Sequence, residues 1–378
     1  MNIQEYHAGI YEPQFEYKSF LPSPINLEWE ISDPATVTLL AESTRLLGEL
    51  NAFAQLIPDV DFFIKMHLAK EATTSSRIEG TQTNMEEALY REEDLKPEQR
   101  DDWNEVQNYI AAANHSIARL AELPLSSRLL KEAHATLLRG VRGKHKQPGE
   151  FRSSQNWIGV NLKNATFIPP HHDRLGELMS DLENFLHNDQ IHVPHLIKIA
   201  LVHYQFETIH PFLDGNGRLG RLLIVLYLVN TGLLLKPALY LSDFFERNKP
   251  AYYDELTAVR ATSRLSPWLR FFLLGVSETA AASIQVFKDI LQLKDEIDHR
   301  HLTTLSARRQ IKARALMRQL YQAPVITIRE ATGVLGTQTN TAAALIADFV
   351  AMGILREITG QQRHRLFVFD AYLKIFNR

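Results

Sequence analysis

Twelve consecutive residues constrain this chain more than any others: His210-Pro211-Phe212-Leu213-Asp214-Gly215-Asn216-Gly217-Arg218-Leu219-Gly220-Arg221. One apolar helical run enters this stretch and another leaves it. Gly-Asn-Gly cannot continue a helix comfortably, so the chain must turn there with positive φ available. Arg218 to Val229 reads as a new helix with Leu222, Leu223, Val225, Leu226 and Val229 on its buried side. A glycine-rich turn feeding a helix N-terminus points several backbone N–H groups at one spot, which suits a phosphate. Two arginines add forked donors to the same place. Taken singly, each residue has an ordinary reading, a turn or a satisfied histidine. Together they read as a nucleotide-phosphate site with a base, His210, at its edge.

The same stretch resembles the signature of Fic-domain proteins, His-Pro-Phe-x-Asp-Gly-Asn-Gly-Arg-x-x-Arg, at every specified position. Enzymes of that family typically move AMP from ATP onto a hydroxyl side chain of a target protein. The resemblance implies His210 as the general base that takes the hydroxyl proton, a task suited to a neutral imidazole near pH 7. It implies Phe212 as an inward anchor and Asp214 as the ligand of a Mg²⁺ ion that also holds phosphate oxygens. Gly215, Asn216 and Gly217 are then backbone and amide donors to the phosphates, and Arg218 and Arg221 pair with the outer phosphates. A related branch carries lysine at the position of Gly217 and transfers phosphate, so glycine favours AMP transfer.

Composition sets the frame. The chain has 378 residues, 45% hydrophobic and 22% charged, with a net charge of −3 and no cysteine. That length suits two or three domains. The charge gives no overall basic footprint for nucleic acid, and the missing cysteines exclude disulfides, thiolate catalysis and cysteine–zinc sites. Met1-Asn2-Ile3-Gln4-Glu5 lacks the basic start and apolar core of a signal peptide. The longest apolar run, Leu222 to Val229, falls short of the roughly 20 residues that span a bilayer. A cytoplasmic protein with no membrane partner is the expectation.

The expected fold class is mainly α, a Fic-type helical core with a small β-hairpin flap and a C-terminal winged-helix (α+β) domain. Three parts are expected: an N-terminal helical region (1–120), a catalytic core with connector helix (121–300) and a winged-helix-like part (301–378). Residues 10 to 30, rich in aromatics and prolines, should run extended over the surface. Asp33-Pro34 is a helix start. A second helix should begin near Asp59 or Asp61, run past Ile64, Met66 and Leu68, and end in Ser75-Ser76-Arg77-Ile78-Glu79-Gly80. As a bare pattern that ending is a helix C-terminus closed by Gly80 in the left-handed region. Beside the signature it resembles the family's inhibitory motif, Ser/Thr-x-x-x-Glu-Gly/Asn, on an inhibitory helix of about 59–80 in the same chain. Ser75, Glu79 and Gly80 are then the inhibitory residues, with Glu79 expected in a bidentate ion pair with Arg221, on the donors that would hold the γ-phosphate.

Ser126 or Ser127 should cap a helix ending at Gly140, Asp173 the helix from Arg174 to His187, and Pro194 precedes a helix from His195 to Ile209. His203 on that last helix reads as structural. Trp157-Ile158-Gly159-Val160 and Thr166-Phe167-Ile168 are two β-like runs around a short loop. They match in position the family's flap, which docks a target segment by strand addition, so Trp157, Thr166, Phe167 and Ile168 are the expected docking residues. Tyr252 and Tyr253 read either as aromatic core residues or, by the resemblance, as the border of the adenine pocket with Asn248.

From residue 301 the pattern becomes helix, strand, helix, turn at Gly336, helix from Thr337 or Thr339, then a hairpin around Gly360. This segment holds 11 Lys+Arg against 4 Asp+Glu, a balance of +7. That is compatible with DNA as a partner, although Thr337 to Met352 contains no Lys or Arg. The leading reading is a self-inhibited protein adenylyltransferase using ATP and Mg²⁺ on a target protein bearing a Ser, Thr or Tyr. The alternatives are a DNA-binding transcriptional regulator with a Fic-like sensor domain, or an enzyme that removes AMP through the same site. A homodimer is in keeping with the subclass, and no residue pattern establishes it.

Overall fold

Asp33 and Pro34 start the first long helix as their chemistry requires: the Asp33 carboxylate accepts the Thr36 N–H at 3.1 Å, and proline occupies the first helical position. The computed structural model describes residues 1–56, 60–143, 145–361 and 365–376. Before that helix stands a hairpin, β1 (Gly9–Pro13) and β2 (Lys18–Pro22), with Gly9 opposite Pro22. The segment is extended as expected, but it is not superficial. Phe20, Ile25 and Trp29 are buried, because aromatic side chains of this size gain most by leaving water.

The helices follow in the order α1 (Pro34–Leu56), α2 (Val60–Ile78), α3 (Arg100–Arg119) and α4 (Ser127–Leu137), the last capped by the Ser126 hydroxyl. The expected start of α2 at Asp59 lies outside the described residues. A short antiparallel hairpin, β3 (Ile158–Gly159) and β4 (Ala165–Phe167), leads to α5 (Leu175–His187). Asp173 does not cap α5. A single 3₁₀ turn, His172–Arg174, enters the helix, and the Asp173 carboxylate lies against His171 and His172 at 3.2 and 3.6 Å.

Next come α6 (His195–Ile209), α7 (Asn216–Asn230), α8 (Ser242–Arg247), α9 (Lys249–Thr262) and α10 (Leu265–Glu296). Every residue of α6 from Leu196 to Ile209 is buried. A helix buried on all sides belongs inside a domain, and α6 is wrapped by α5, α7, α10, α1 and β2. His210 follows directly on its end, so the candidate base is carried by a helix buried from Leu196 to Ile209. Among the described residues no helix is long and apolar enough to cross a membrane.

The C-terminal segment gives α11 (Ala307–Gln322), β5 (Val325–Thr327), α12 (Ile328–Leu335), α13 (Thr339–Ala351), β6 (Arg356–Glu357) and β7 (Leu366–Val368). The three strands form one sheet in the order β5-β7-β6. Helix, strand, helix, turn, helix, hairpin is the order read from the sequence. A reciprocal capping box between Thr327 and Glu330 starts α12, and Gly336 ends it with φ 53°. One further helix, α14 (Asp370–Phe376), was not anticipated, since seven residues are too few to show a helical period.

α14 and α11 pack on the N-terminal half of α2. Phe63 meets Tyr321 edge-on at 6.1 Å between ring centroids, and His67 meets Phe376 at 5.2 Å. Helix α2 is therefore held by the C-terminal segment at one end and by α3, α7 and α8 along the rest. Phe63→Ala should lower stability by about 3–5 kcal/mol, read by chemical denaturation, with faster amide exchange along α2. A loss under about 1 kcal/mol would contradict this packing account.

Candidate functional site

Helix α6 ends because Pro211 disfavours helical backbone in the residue before it. His210 takes a left-handed conformation, φ 50° and ψ 60°, while its N–H still bonds the Phe206 carbonyl at 2.9 Å. For a residue with a Cβ that conformation costs roughly 1–2 kcal/mol. The surroundings hold it. Arg152 donates through Nε to the His210 carbonyl at 3.0 Å and through Nη2 to the Pro170 carbonyl at 2.6 Å. Its backbone N–H reaches the Pro211 carbonyl at 2.9 Å.

Phe212 is fully buried and stacks on the His134 ring at 3.9 Å between centroids. His134 donates from Nε2 to the Asp214 carbonyl at 2.9 Å, and its Nδ1 accepts the Gly149 N–H at 2.8 Å. Asn216 closes the loop from inside: its Oδ1 accepts the Phe212 N–H at 2.9 Å and its Nδ2 donates to the Phe212 carbonyl at 2.8 Å. One Nδ2 hydrogen and the Oδ1 of Asn216 thus shape the turn, which leaves the other Nδ2 hydrogen and its backbone N–H without a part in it. Beside them stand the backbone donors at the start of α7. Gly215 starts α7 at φ 76°, and the first bond inside that helix runs from Leu219 N–H to the Gly215 carbonyl at 3.0 Å. The N–H groups of Asn216, Gly217 and Arg218 stay outside the helix's own bonding, at its positive end.

Two arginines rise from the first turns of α7, both buried. Arg218 donates to Glu105 of α3 at 3.1 Å and lies 3.7 Å from Asp214 Oδ1. Arg221 donates through Nε to the Ser75 hydroxyl at 2.9 Å, and through Nη2 to the Ser75 carbonyl at 2.8 Å and to Glu79 Oε1 at 2.7 Å. The Glu79–Arg221 pair thus forms, but through one carboxylate oxygen and not as the bidentate pair expected. Ser75 takes Nε and shares Nη2 with Glu79. Burial pushes the Glu79 carboxyl up, yet the Arg221 guanidinium beside it wins and holds it below the usual range. Gly80 ends this segment at φ 105°, and Lys249 Nζ donates to the Ile78 carbonyl at 2.7 Å, a cation at a helix C-terminus.

Gly217 acquires a second reason to be glycine: a Cβ there would stand 2.3 Å from Glu79 Oε1. Asp214 is partly exposed, with one carboxylate oxygen on the Gly215 N–H at 2.6 Å. The hairpin places Trp157 and Thr166 outward and Phe167 inward under the Arg260 guanidinium at 3.9 Å. The carbonyl of Ile168 accepts the Phe20 N–H of β2 at 2.9 Å, so that acceptor is already occupied by the N-terminal hairpin.

Of the proposed adenine-pocket residues, Tyr252 is a core residue. It is buried, and its hydroxyl donates to His203 Nε2 at 2.8 Å, with His203 Nδ1 bonded to the Gly220 carbonyl at 3.0 Å. Only Tyr253 of the pair is exposed, and Asn248 donates to the Phe244 carbonyl at 2.9 Å, as a helix-end residue does.

Sequence reasoning missed Arg152, Asn156, His134, Glu105 and Glu207. Arg152, Asn156, His134 and Glu105 lie in segments far along the chain, and only the fold brings them to the loop; Glu207 stands three residues before His210 but belongs to no pattern that marks it. Glu207 is buried one turn before His210, with Oε1 unpartnered and its pKa pushed up to about 7 by burial, against the pull of Arg221. Burial, then Arg152 and Arg260, pushes the His210 imidazole down to about 4, so it is neutral at pH 7.

Two adjacent stretches match family models, residues 37–118 the Fic/DOC family N-terminal model and residues 124–228 the Fic/DOC family model. The chain is a Fic-domain protein. It is 33% identical over 197 residues to the protein adenylyltransferase Fic of Drosophila grimshawi, covering 51% of this chain and 37% of that one. To the protein of the same name from Culex quinquefasciatus it is 32% identical over 174 residues, covering 45% and 32%. The Fic-domain chain thus spans about a third of the length of these curated relatives. A Fic family protein of Desulfovibrio desulfuricans G20 shares the fold at TM-score 0.56 and 21% identity, covering 89% of this chain and 96% of that chain. Residues 134–508 of Fic-1 from C. elegans align at TM-score 0.50 and 21% identity, covering 68% and 73%.

The buried histidines set the acid response of this Fic-domain chain. Burial pushes His67 and His203 down to about 3, and His134 and His210 down to about 4. Between those values and about 6.5 the unfolded chain binds protons that the native chain does not, so their stability is complete above about pH 6.5 and is lost as pH falls. Glu207, Glu71, Asp181, Glu255 and Asp94, raised by burial, act in the opposite sense. His172 and His195, also lowered by burial, and Glu79, held low beside Arg221, act with the first four histidines. The six histidines and Glu79 together outweigh the five carboxyls. The melting temperature should therefore fall between about pH 7 and about pH 4.5. A constant or rising value over that span would contradict the assignment.

Proposed function

We propose that this Fic-domain chain is a self-inhibited protein adenylyltransferase, which moves AMP from ATP to a Ser, Thr or Tyr hydroxyl of a target protein. One observation carries the reading: Glu79 Oε1 sits on Arg221 at 2.7 Å, in the loop that presents His210 and the free N–H groups at the start of α7. The cradle and its competitor share one guanidinium.

In the transfer, the target oxygen forms a bond to the α-phosphorus, the bond to pyrophosphate breaks, and the hydroxyl proton passes to His210. The neutral imidazole is ready to accept it. ATP brings several negative charges close to His210, and these favour the imidazolium against Arg152 and Arg260. The N–H groups of Asn216, Gly217 and Arg218 hold charge on the phosphates. Arg221 holds the γ-phosphate once Glu79 leaves. While Glu79 stays, the triphosphate cannot seat fully, and its α-phosphorus is misplaced for attack.

Asp214 fits a magnesium ion shared with phosphates. Its carboxylate keeps one oxygen clear of the Gly215 N–H, and among the described residues no three-ligand cage surrounds it, the pattern of Mg²⁺ bound by one carboxylate plus substrate oxygens. When bound, that ion neutralises phosphate charge. Tyr253 is left as the proposed adenine neighbour, and the outward Trp157 and Thr166 as target contacts. Five of the C-terminal cations lie on α11 and none on α13, so no observation favours the DNA-binding alternative.

With α-labelled ATP, Glu79→Gly should raise protein labelling roughly 10-fold or more, since it removes one charged hydrogen bond of about 1.5–3 kcal/mol from the competing pose. His210→Ala in that background should abolish labelling. Label transferred from the γ position, or equal labelling of parent and Glu79→Gly, would sink the proposal.

A further inference from the structure

We infer that Arg152 is a positioning residue for His210, and that its fork, not its charge alone, fixes the left-handed backbone from which the imidazole meets the target hydroxyl. This rests on the proposed transfer reaction only for its kinetic consequence. The geometric part stands by itself.

Arg152 is buried at 2% exposure, and every hydrogen bond from its guanidinium goes to a backbone carbonyl. Nε reaches His210 at 3.0 Å, Nη1 reaches Ser154 at 3.2 Å, and Nη2 reaches Pro170 at 2.6 Å and Ile209 at 3.4 Å. With the backbone bond to Pro211, one residue holds the carbonyls of three consecutive residues, 209 to 211, where α6 ends. Among the described residues no carboxylate pairs with it, which is unusual for a buried arginine. Its cost is offset instead by oriented carbonyl dipoles, and burial pushes its own pKa down to about 10.

Two features show that these bonds are spent on the backbone turn. His210 is left-handed without being glycine, so it needs outside support. Asn156, four residues on, donates to the same His210 carbonyl at 3.4 Å and to Phe212 at 3.0 Å, so the segment that begins with Arg152 grips both sides of the turn. The imidazole Nδ1 meets no well-formed hydrogen bond, only a weak pull from the Glu207 carbonyl one turn back. Its direction follows the backbone beneath it, and Arg152 sets that backbone.

A lysine at 152 keeps the charge but has one compact ammonium in place of a planar fork, so it cannot reach carbonyls on opposite sides. The test uses the full chain carrying Glu79→Gly, with Arg152→Lys or Arg152→Met added. Crystal structures should show His210 leaving its left-handed conformation in both variants. ATP affinity by equilibrium binding should stay within about threefold, because the α7 N–H groups and Arg221 are untouched, while the turnover rate falls about 100-fold, as expected for a displaced reacting group. Retention of left-handed His210 in either variant, or a turnover rate within about threefold of Glu79→Gly, would overturn the inference. If Glu79→Gly itself transfers no AMP, the adenylylation reading fails, and the His210 backbone conformation still decides this one.

Discussion

A guanidinium as deeply buried as that of Arg221 cannot stand without partners, because taking the charge out of water costs several kcal/mol that only close, well-aligned acceptors return. In this chain the acceptors come from the end of α2 and the residue that follows it: the Ser75 hydroxyl and carbonyl, and one oxygen of Glu79. The last arginine of the loop and the end of α2 therefore form one electrostatic unit. Whatever takes Glu79 away must supply negative charge in its place. A γ-phosphate does so, which is why the pair reads as a competition between the chain and its nucleotide.

In the proposed reading, the remainder of the structure keeps α2 where that competition would favour the chain. At its middle, Glu71 accepts the Tyr109 hydroxyl of α3 at 2.8 Å and the Ser242 hydroxyl of α8 at 2.6 Å. At its start, Phe63 and His67 pack into aromatic rings of the C-terminal segment. At its end, Lys249 caps the last carbonyl. Three separate parts of the chain thus bear on the position of one carboxylate. The loop it faces is equally fixed, by Arg152 and Asn156 on one side and His134 on the other.

The loop was legible in the sequence because its causes are local. Pro211 ends a helix, Gly215 takes positive φ and starts the next, and Phe212 is the apolar residue between them. Glu79 had no such local signature. A helix closed by glycine looks the same whether or not its last glutamate meets an arginine, and only the family resemblance singled it out. Some residues that the resemblance singled out also have structural partners: Asn216 shapes the turn through Oδ1 and one Nδ2 hydrogen, and Tyr252 is buried and bonded to His203. Arg152, Glu105 and His134 could not be found from spacing at all, since each acts through contacts between segments far apart in the chain. The short helix α14 escaped for a simpler reason, its length.

The central claim is that Glu79 stands where the γ-phosphate belongs. The direct test is the equilibrium affinity for ATP relative to ADP, in the parent and in Glu79→Gly, with the same divalent cation in excess. The account predicts that the parent barely distinguishes the two nucleotides, whereas Glu79→Gly prefers ATP by about 10-fold or more, the worth of a charged hydrogen bond to Arg221. An ATP-to-ADP preference that is the same in both proteins would contradict it.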